Sequence, residues 1–176
     1  MINDFIQQIF SHLCHQEVDR CWIFGGLPIA FCQRCTGVYL GAFFMAFILP
    51  LARFKPTKKI IFIHAIFILQ MIIFGLHLIP HNGSVRTISG QIFIYGVIYF
   101  LWLNIQNRWN LFNDKRDSKI YFLYLILLIP FIQLLVHLNF NFLYHILNLF
   151  GLIGLIFLII LSILNILTIF HFRCKK

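Results

Sequence analysis

Apolar residues lie along this chain in long runs broken by short polar stretches, rather than alternating with polar residues one by one. A helix needs about 20 mostly apolar residues to cross a bilayer. Five runs approach that length: Thr36–Leu51, Ile60–Ile79, Ile88–Ile105, Ile120–His137 and Leu143–Phe170. The first is short unless it begins near Cys32, and the last is long enough to tilt or to start in the membrane interface. Ahead of them, Ile2, Phe5, Ile6, Ile9, Phe10 and Leu13 recur at helical spacing, with Asp4, Gln7, Gln8 and Ser11 opposite. That pattern predicts a short amphipathic helix, either lying in the interface or packed against the bundle. No Lys or Arg precedes an apolar run at the start of the sequence, so no signal peptide is expected. The reading is an all-α, polytopic membrane helix bundle of about five spans in a single domain. Residues 1–35 would form a Cys/His cap and residues 36–176 the transmembrane bundle.

Composition removes the soluble alternative. The chain is 61% hydrophobic and 11% charged, against about 25% charged residues in ordinary domains. The net charge of +9 suggests nucleic acid only until the basic residues are located. Arg53, Lys55, Lys58 and Lys59 fall between the first two runs, and Arg108, Lys115, Arg116 and Lys119 between the third and fourth. Arg173, Lys175 and Lys176 follow the last run. Only Arg20, Arg34 and Arg86 fall on the other side. This alternation, read by the positive-inside rule, predicts a cytoplasmic C-terminus and an N-terminus outside. No nucleic-acid partner is expected; the bilayer is.

The chemistry concentrates in Cys14-His15-Gln16-Glu17-Val18-Asp19-Arg20-Cys21, Gly25-Gly26-Leu27-Pro28 and Cys32-Gln33-Arg34-Cys35-Thr36-Gly37. A C-x-x-C turn brings two sulfurs within reach of one tetrahedral metal, the remaining ligands coming from elsewhere. Cys14 with His15 or Cys21 would supply them, with His81 as another candidate. Gly25, Gly26 and Pro28 let the chain turn back between the two halves. The same sulfurs also permit redox chemistry, because a helix N-terminus and Arg34 both favour thiolate at Cys32 and Cys35. Four cysteines outside the membrane allow three disulfide pairings, and a cap merely stapled to the bundle is a further reading.

The string Cys14-His15-Gln16…Arg20…Pro28…Cys32-x-Arg34-Cys35-Thr36-Gly37-x-Tyr39-x-Gly41 resembles the signature of the domain-of-unknown-function family 2085, small predicted bacterial membrane proteins. Asn82…Arg86…Ser89-Gly90 resembles that family's downstream Asn…Arg…Thr-Gly block. The resemblance covers roughly Cys14 to Gly96 and places the chain in a bacterial inner membrane. Two positions depart from the pattern: Cys21 stands where the family usually has Ser, and Phe74-Gly75 where it tends to have Asp-Gly. The first departure implies a shared site of Cys14, His15, Cys32 and Cys35, with Cys21 an extra. Three cysteines and a histidine suit zinc better than paired disulfides.

Topology adds His77, His81, His137 and His145 to the cap side, where histidines suit metal ligation, proton transfer or helix-end hydrogen bonding. Arg20 has Glu17 three residues before it and Asp19 beside it as partners. Arg34 and Arg86 run against the charge rule and are candidate contacts for an anionic lipid or a quinone-like ligand. Gly37 and Gly41, flanking Tyr39, form a small-x-x-x-small face suited to close helix approach. No charged residue falls mid-span, which speaks against an ion channel or proton pump. The expected function is an outward Cys/His metal site, zinc above others, acting on or binding an anionic lipid-like ligand. A thiol–disulfide oxidoreductase using Cys32 and Cys35, or a structural membrane subunit, is the alternative.

Overall fold

The computed structural model describes residues 2–14, 16–52, 54–75, 82–111, 118–138 and 140–173. Helix α1 spans Ile2–Ser11, and after a short 3₁₀ turn at Val18–Arg20 come strands β1 (Cys21–Phe24) and β2 (Leu27–Cys32). Then follow α2 (Gln33–Ile48), a second 3₁₀ turn at Leu49–Ala52, α3 (Lys58–Gly75), α4 (Gly83–Trp109), α5 (Ser118–His137) and α6 (Asn141–Arg173). Each of the five apolar runs lies largely within a helix. Among the described residues, α4, α5 and α6 are long and apolar enough to cross a membrane. Helix α2 has 16 residues and α3 has 18. Apolar side chains cover the outside of the bundle, Ile126 being 63% exposed and Leu167 57%, as lipid-facing helices require.

The all-α expectation needs one correction. The cap contains an antiparallel hairpin in which Cys21 pairs with Cys32 and Phe24 with Leu27. Its turn is Gly25-Gly26, with φ of 58° and 82°. Both lie in the left-handed region that a tight two-residue hairpin turn requires, and glycine enters it without steric cost. Phe24, Ile29 and Phe31 are buried under the hairpin. Helix α1 lays its apolar face on the protein: Ile6 and Phe10 are fully buried, and the Phe10 ring meets Phe31 and Tyr39 at 4.9 and 4.8 Å.

Helix α2 lies between α4 and α6, and glycines set how closely. A methyl group at Gly37 would run into the Thr87 carbonyl, and one at Gly90 into the Arg34 carbonyl. At Gly41 it would come within 2.7 Å of Ile94. On the opposite face, Gly154 of α6 sits against the Tyr39 carbonyl. The small-residue face expected at Gly37 and Gly41 is therefore a close approach to α4, against backbone at Gly37 and against the Ile94 side chain at Gly41, and Tyr39 packs into the cap.

Helix α4 begins at Asn82, whose side chain accepts from the Val85 amide at 3.0 Å, a standard N-cap. Helix α3 runs back along α4 with His64 fully buried between α3, α4 and α5. Its Nδ1 donates to the Ile60 carbonyl at 2.8 Å, so Nε2 accepts from the Tyr121 hydroxyl at 3.0 Å. The imidazole stacks on Tyr99 with centroids 3.8 Å apart. This histidine, to which sequence alone gave no role, joins three helices. His64→Leu should destabilise the protein by about 1–3 kcal/mol by orphaning the Tyr121 hydroxyl, measured as unfolding in mixed micelles.

Candidate metal centre in the cap

Cys14 follows the last turn of α1, its amide donating to the Phe10 carbonyl at 2.7 Å. Cys32 closes β2 and is the residue from which α2 starts, and Cys35 lies in the first turn of that helix, ahead of its apolar run. The hairpin folds the second segment back onto the first. As a result the sulfurs of Cys14, Cys32 and Cys35 all lie within 4.8 Å of one another. Tetrahedral zinc with Zn–S bonds near 2.3 Å sets its sulfurs about 3.8 Å apart, so the donor set fits such an ion with small adjustment.

Polarisation of these sulfurs is uneven. Cys14 Sγ accepts from the Cys32 amide at 3.2 Å. The Cys32 thiol, and after it the Cys35 thiol, donates toward the same sulfur, holding Cys14 well below the ordinary thiol range. Donation to Cys14 in turn pushes Cys32 up. Cys35 is pushed up by hydrogen bonds to Cys14 and Cys32 and by burial. A sulfur held toward thiolate by two neighbouring thiols is an arrangement that a cation would complete by displacing their protons.

Cys21 stays outside this group. It is buried, and desolvation followed by the neighbouring Cys32 and Cys14 charges pushes its thiol up to about 12. No disulfide joins Cys14, Cys21, Cys32 and Cys35. The two histidines proposed as ligands, His15 and His81, lie outside the described residues, as do His77 and Cys174.

Polar side chains that sequence reasoning left without roles hold the three sulfurs in place. Gln16, at φ 46°, donates through Nε2 to the Gln7 carbonyl at 3.0 Å and to the Ala30 carbonyl at 2.7 Å. It thus clamps the segment after Cys14 between α1 and β2. Asn148, fully buried on α6, accepts from the Ala30 amide at 2.9 Å. The Thr87 hydroxyl receives the Trp22 indole N–H at 3.0 Å and lies 2.9 Å from the Gln33 carbonyl and 3.0 Å from that of Gly83. Asn148 alone left a sequence signal: an isolated amide within an apolar run must find a partner.

The arginines divide. Arg20 pairs with Glu17 at 2.7 Å, the i, i+3 partner expected, at a surface where such pairs contribute little. Arg34 donates through Nη2 to the Phe74 carbonyl at 3.1 Å, in the last turn of α3, where a cation complements the helix dipole. Its Nε is buried with no protein acceptor. Arg86 is half-buried one turn into α4. The described histidines at this end serve structure: His137 Nε2 is 2.9 Å from the Ser84 hydroxyl, and His145 meets Asn3.

The two polar blocks therefore touch, Gly37 against Thr87 and Gly90 against Arg34. A family model described as "Predicted membrane protein (DUF2085)" matches residues 14–101, half of the chain, and spans both blocks and the cysteine cluster. The chain belongs to this family. The chain is also similar to an uncharacterized protein of Methanothermobacter thermautotrophicus, 43% identical over 44 residues. That alignment covers 23% of this chain and 40% of the relative, so the chain spans well under half the length of the relative it matches. No solved structure matches.

Proposed function

We propose that Cys14, Cys32 and Cys35 ligate a zinc ion in the cap of a membrane protein that spans the bilayer five times, with the cap on the outer side. The observation that carries this reading is the convergence of three sulfurs from two separate segments on one point. The sulfur-only donor set favours zinc over hard cations. His15, His81 or a water would fill the fourth position, and Cys21, held as a thiol, would not. Zinc with a fourth protein ligand would tie α1 to α2, whereas an open position would supply a Lewis acid. The excess of basic residues at one end of the bundle supports the orientation. Arg86 and the buried Nε of Arg34 support an anionic, lipid-like group beside the cap.

The test is metal content by mass spectrometry on detergent-purified protein, with a free-thiol count on the same sample. About one zinc per chain is expected; no metal with all thiols free would sink the reading. Gln16→Ala should lower zinc retention by about 10–100-fold, as loss of an outer-shell support does, read by competition with a chromophoric chelator. Zinc loading should release the protons still held by the cluster thiols, those of Cys32 and Cys35 being pushed up by their hydrogen bonds. Affinity should therefore rise with pH, and calorimetry in buffers of different ionisation enthalpy reads the number of protons released.

A thiol–disulfide reading draws on the same thiolate placed beside two thiols. Oxidising Cys32 and Cys35 to a disulfide releases two electrons and two protons, which a quinone in the bilayer would take. A thiol count lower by two without reductant, together with absent metal, would favour it.

A further inference from the structure

The lipid-facing surface of the bundle continues onto the cap. On α6 an exposed apolar stripe runs at heptad spacing through Phe142, Leu149, Ile156, Ile163 and Phe170. From Phe142 to Phe170 the helix rises about 42 Å. A hydrocarbon core is about 30 Å thick, and a bilayer with both headgroup layers about 40–45 Å. The stripe is too long for the hydrocarbon alone and fits the whole bilayer, which puts Phe142 in the headgroup layer on the cap side.

The rest of the cap lies at that level. A methyl group on Gly25 would overlap the Asn141 side chain, so the hairpin tip abuts the first residue of α6. Asn3 of α1 meets His145, and Gln7 donates to the Tyr144 hydroxyl at 3.3 Å, so α1 crosses the first turns of the same helix. The outward side of these elements is apolar where a water-facing cap would be polar. Phe5 is 61% exposed and Leu27 53%, and Leu13, Val18 and Ile23 are exposed as well. Ile6 and Phe10 already fill the protein side of α1. Asp19 and Arg20 are exposed among these residues, which headgroups admit and hydrocarbon does not. Trp22 of the hairpin is half-buried, its ring 5.0 Å from that of His137 at the end of α5, and Trp is characteristic of membrane interfaces.

We propose that the cap is embedded in the headgroup layer on its side of the membrane, with Phe5, Leu13, Val18, Ile23, Leu27 and Phe142 inserted among the phospholipids. Phe31, next to Cys32, packs on Gly151, about 13 Å further in than Phe142. The cysteine cluster thus falls at the boundary between headgroups and hydrocarbon. The proposal rests on the reading that the bundle spans the bilayer, and it is independent of zinc.

The test places p-benzoylphenylalanine at Leu27, at Phe5 or, as the reference, at Ile126 on the lipid-facing side of α5. Each full-length variant is irradiated in dioleoyl phosphatidylcholine vesicles, and intact mass reads the addition of one phospholipid. Leu27 and Phe5 should each give the adduct to within about threefold of the yield at Ile126. A smaller yield at either position would overturn the proposal, and if one variant is not recovered the other decides. A cross-linked dimer in place of the adduct would assign the rim to a second copy of the chain and overturn it too. No adduct at Ile126 would refute the spanning reading itself, and the proposal with it.

Discussion

Gly37→Val should prevent the bundle from closing, at a cost above about 4 kcal/mol. The new Cβ alone would meet the Thr87 carbonyl and the Gln91 amide nitrogen, which are helix backbone and cannot move aside as a flexible side chain would. Overpacking a core against side chains costs about 1–3 kcal/mol; against backbone, the helices must separate. Separation would also break the bridge from Thr87 to Gln33 and Trp22, so the cap would loosen with the bundle. Gly26→Ala is the control. A methyl there meets nothing within 4 Å, and only the left-handed φ opposes it, at about 1–2 kcal/mol. Unfolding in mixed micelles should rank the two variants in that order, and equal stabilities would refute close packing of α2 on α4.

Cys35→Ser should empty the metal centre, whereas Cys21→Ser should leave it loaded. Serine keeps the size of cysteine but replaces a soft thiolate with a hydroxyl that stays protonated. The loss should exceed the roughly 10–100-fold that follows removal of an outer-shell partner. Cys14→Ser should be at least as severe, since Cys14 is the sulfur on which the other two thiols and the Cys32 amide converge. Cys21 lies beside the group with its thiol held protonated, so its substitution should leave zinc stoichiometry unchanged. Metal analysis on the three purified variants reads the contrast directly, and loss of metal from Cys21→Ser would make Cys21 a ligand.

The helices were legible because membrane helices carry their signal in long apolar runs, and all five runs lie largely within helices. The hairpin was not legible. Strands of four and six residues such as Cys21–Phe24 and Leu27–Cys32 are too short to establish an alternation, although Gly25-Gly26 marked the turn. The pattern in α1 identified a helix without saying what would cover Ile6 and Phe10, because lipid and protein are equally apolar. At the site, spacing paired Cys32 with Cys35 and left Cys14, His15 and Cys21 as alternatives; the family resemblance set Cys21 apart, and the hairpin keeps it out of the group of three sulfurs. The bond from Arg34 to the Phe74 carbonyl was not legible, because sequence does not show that α3 ends beside that arginine. The clamp made by Gln16 depends on a backbone φ that no composition reveals.

Asn148 imposes an order on assembly. Its side chain on α6 receives the Ala30 amide of β2, and Gly154 of the same helix seats the Tyr39 backbone. A chain emerging from the ribosome therefore makes the four cysteines of the cap early and acquires the element that secures them last. Until α6 inserts, the Ala30 amide of β2 lacks its acceptor and one face of α2 lacks its neighbour, so the thiols are presented before their scaffold is complete. Proteins that form elements in synthetic order expose such intermediates to side reactions. For this chain the vulnerable interval is the time needed to translate α3 to α6, and truncation before α6 would leave the cap in that immature state permanently.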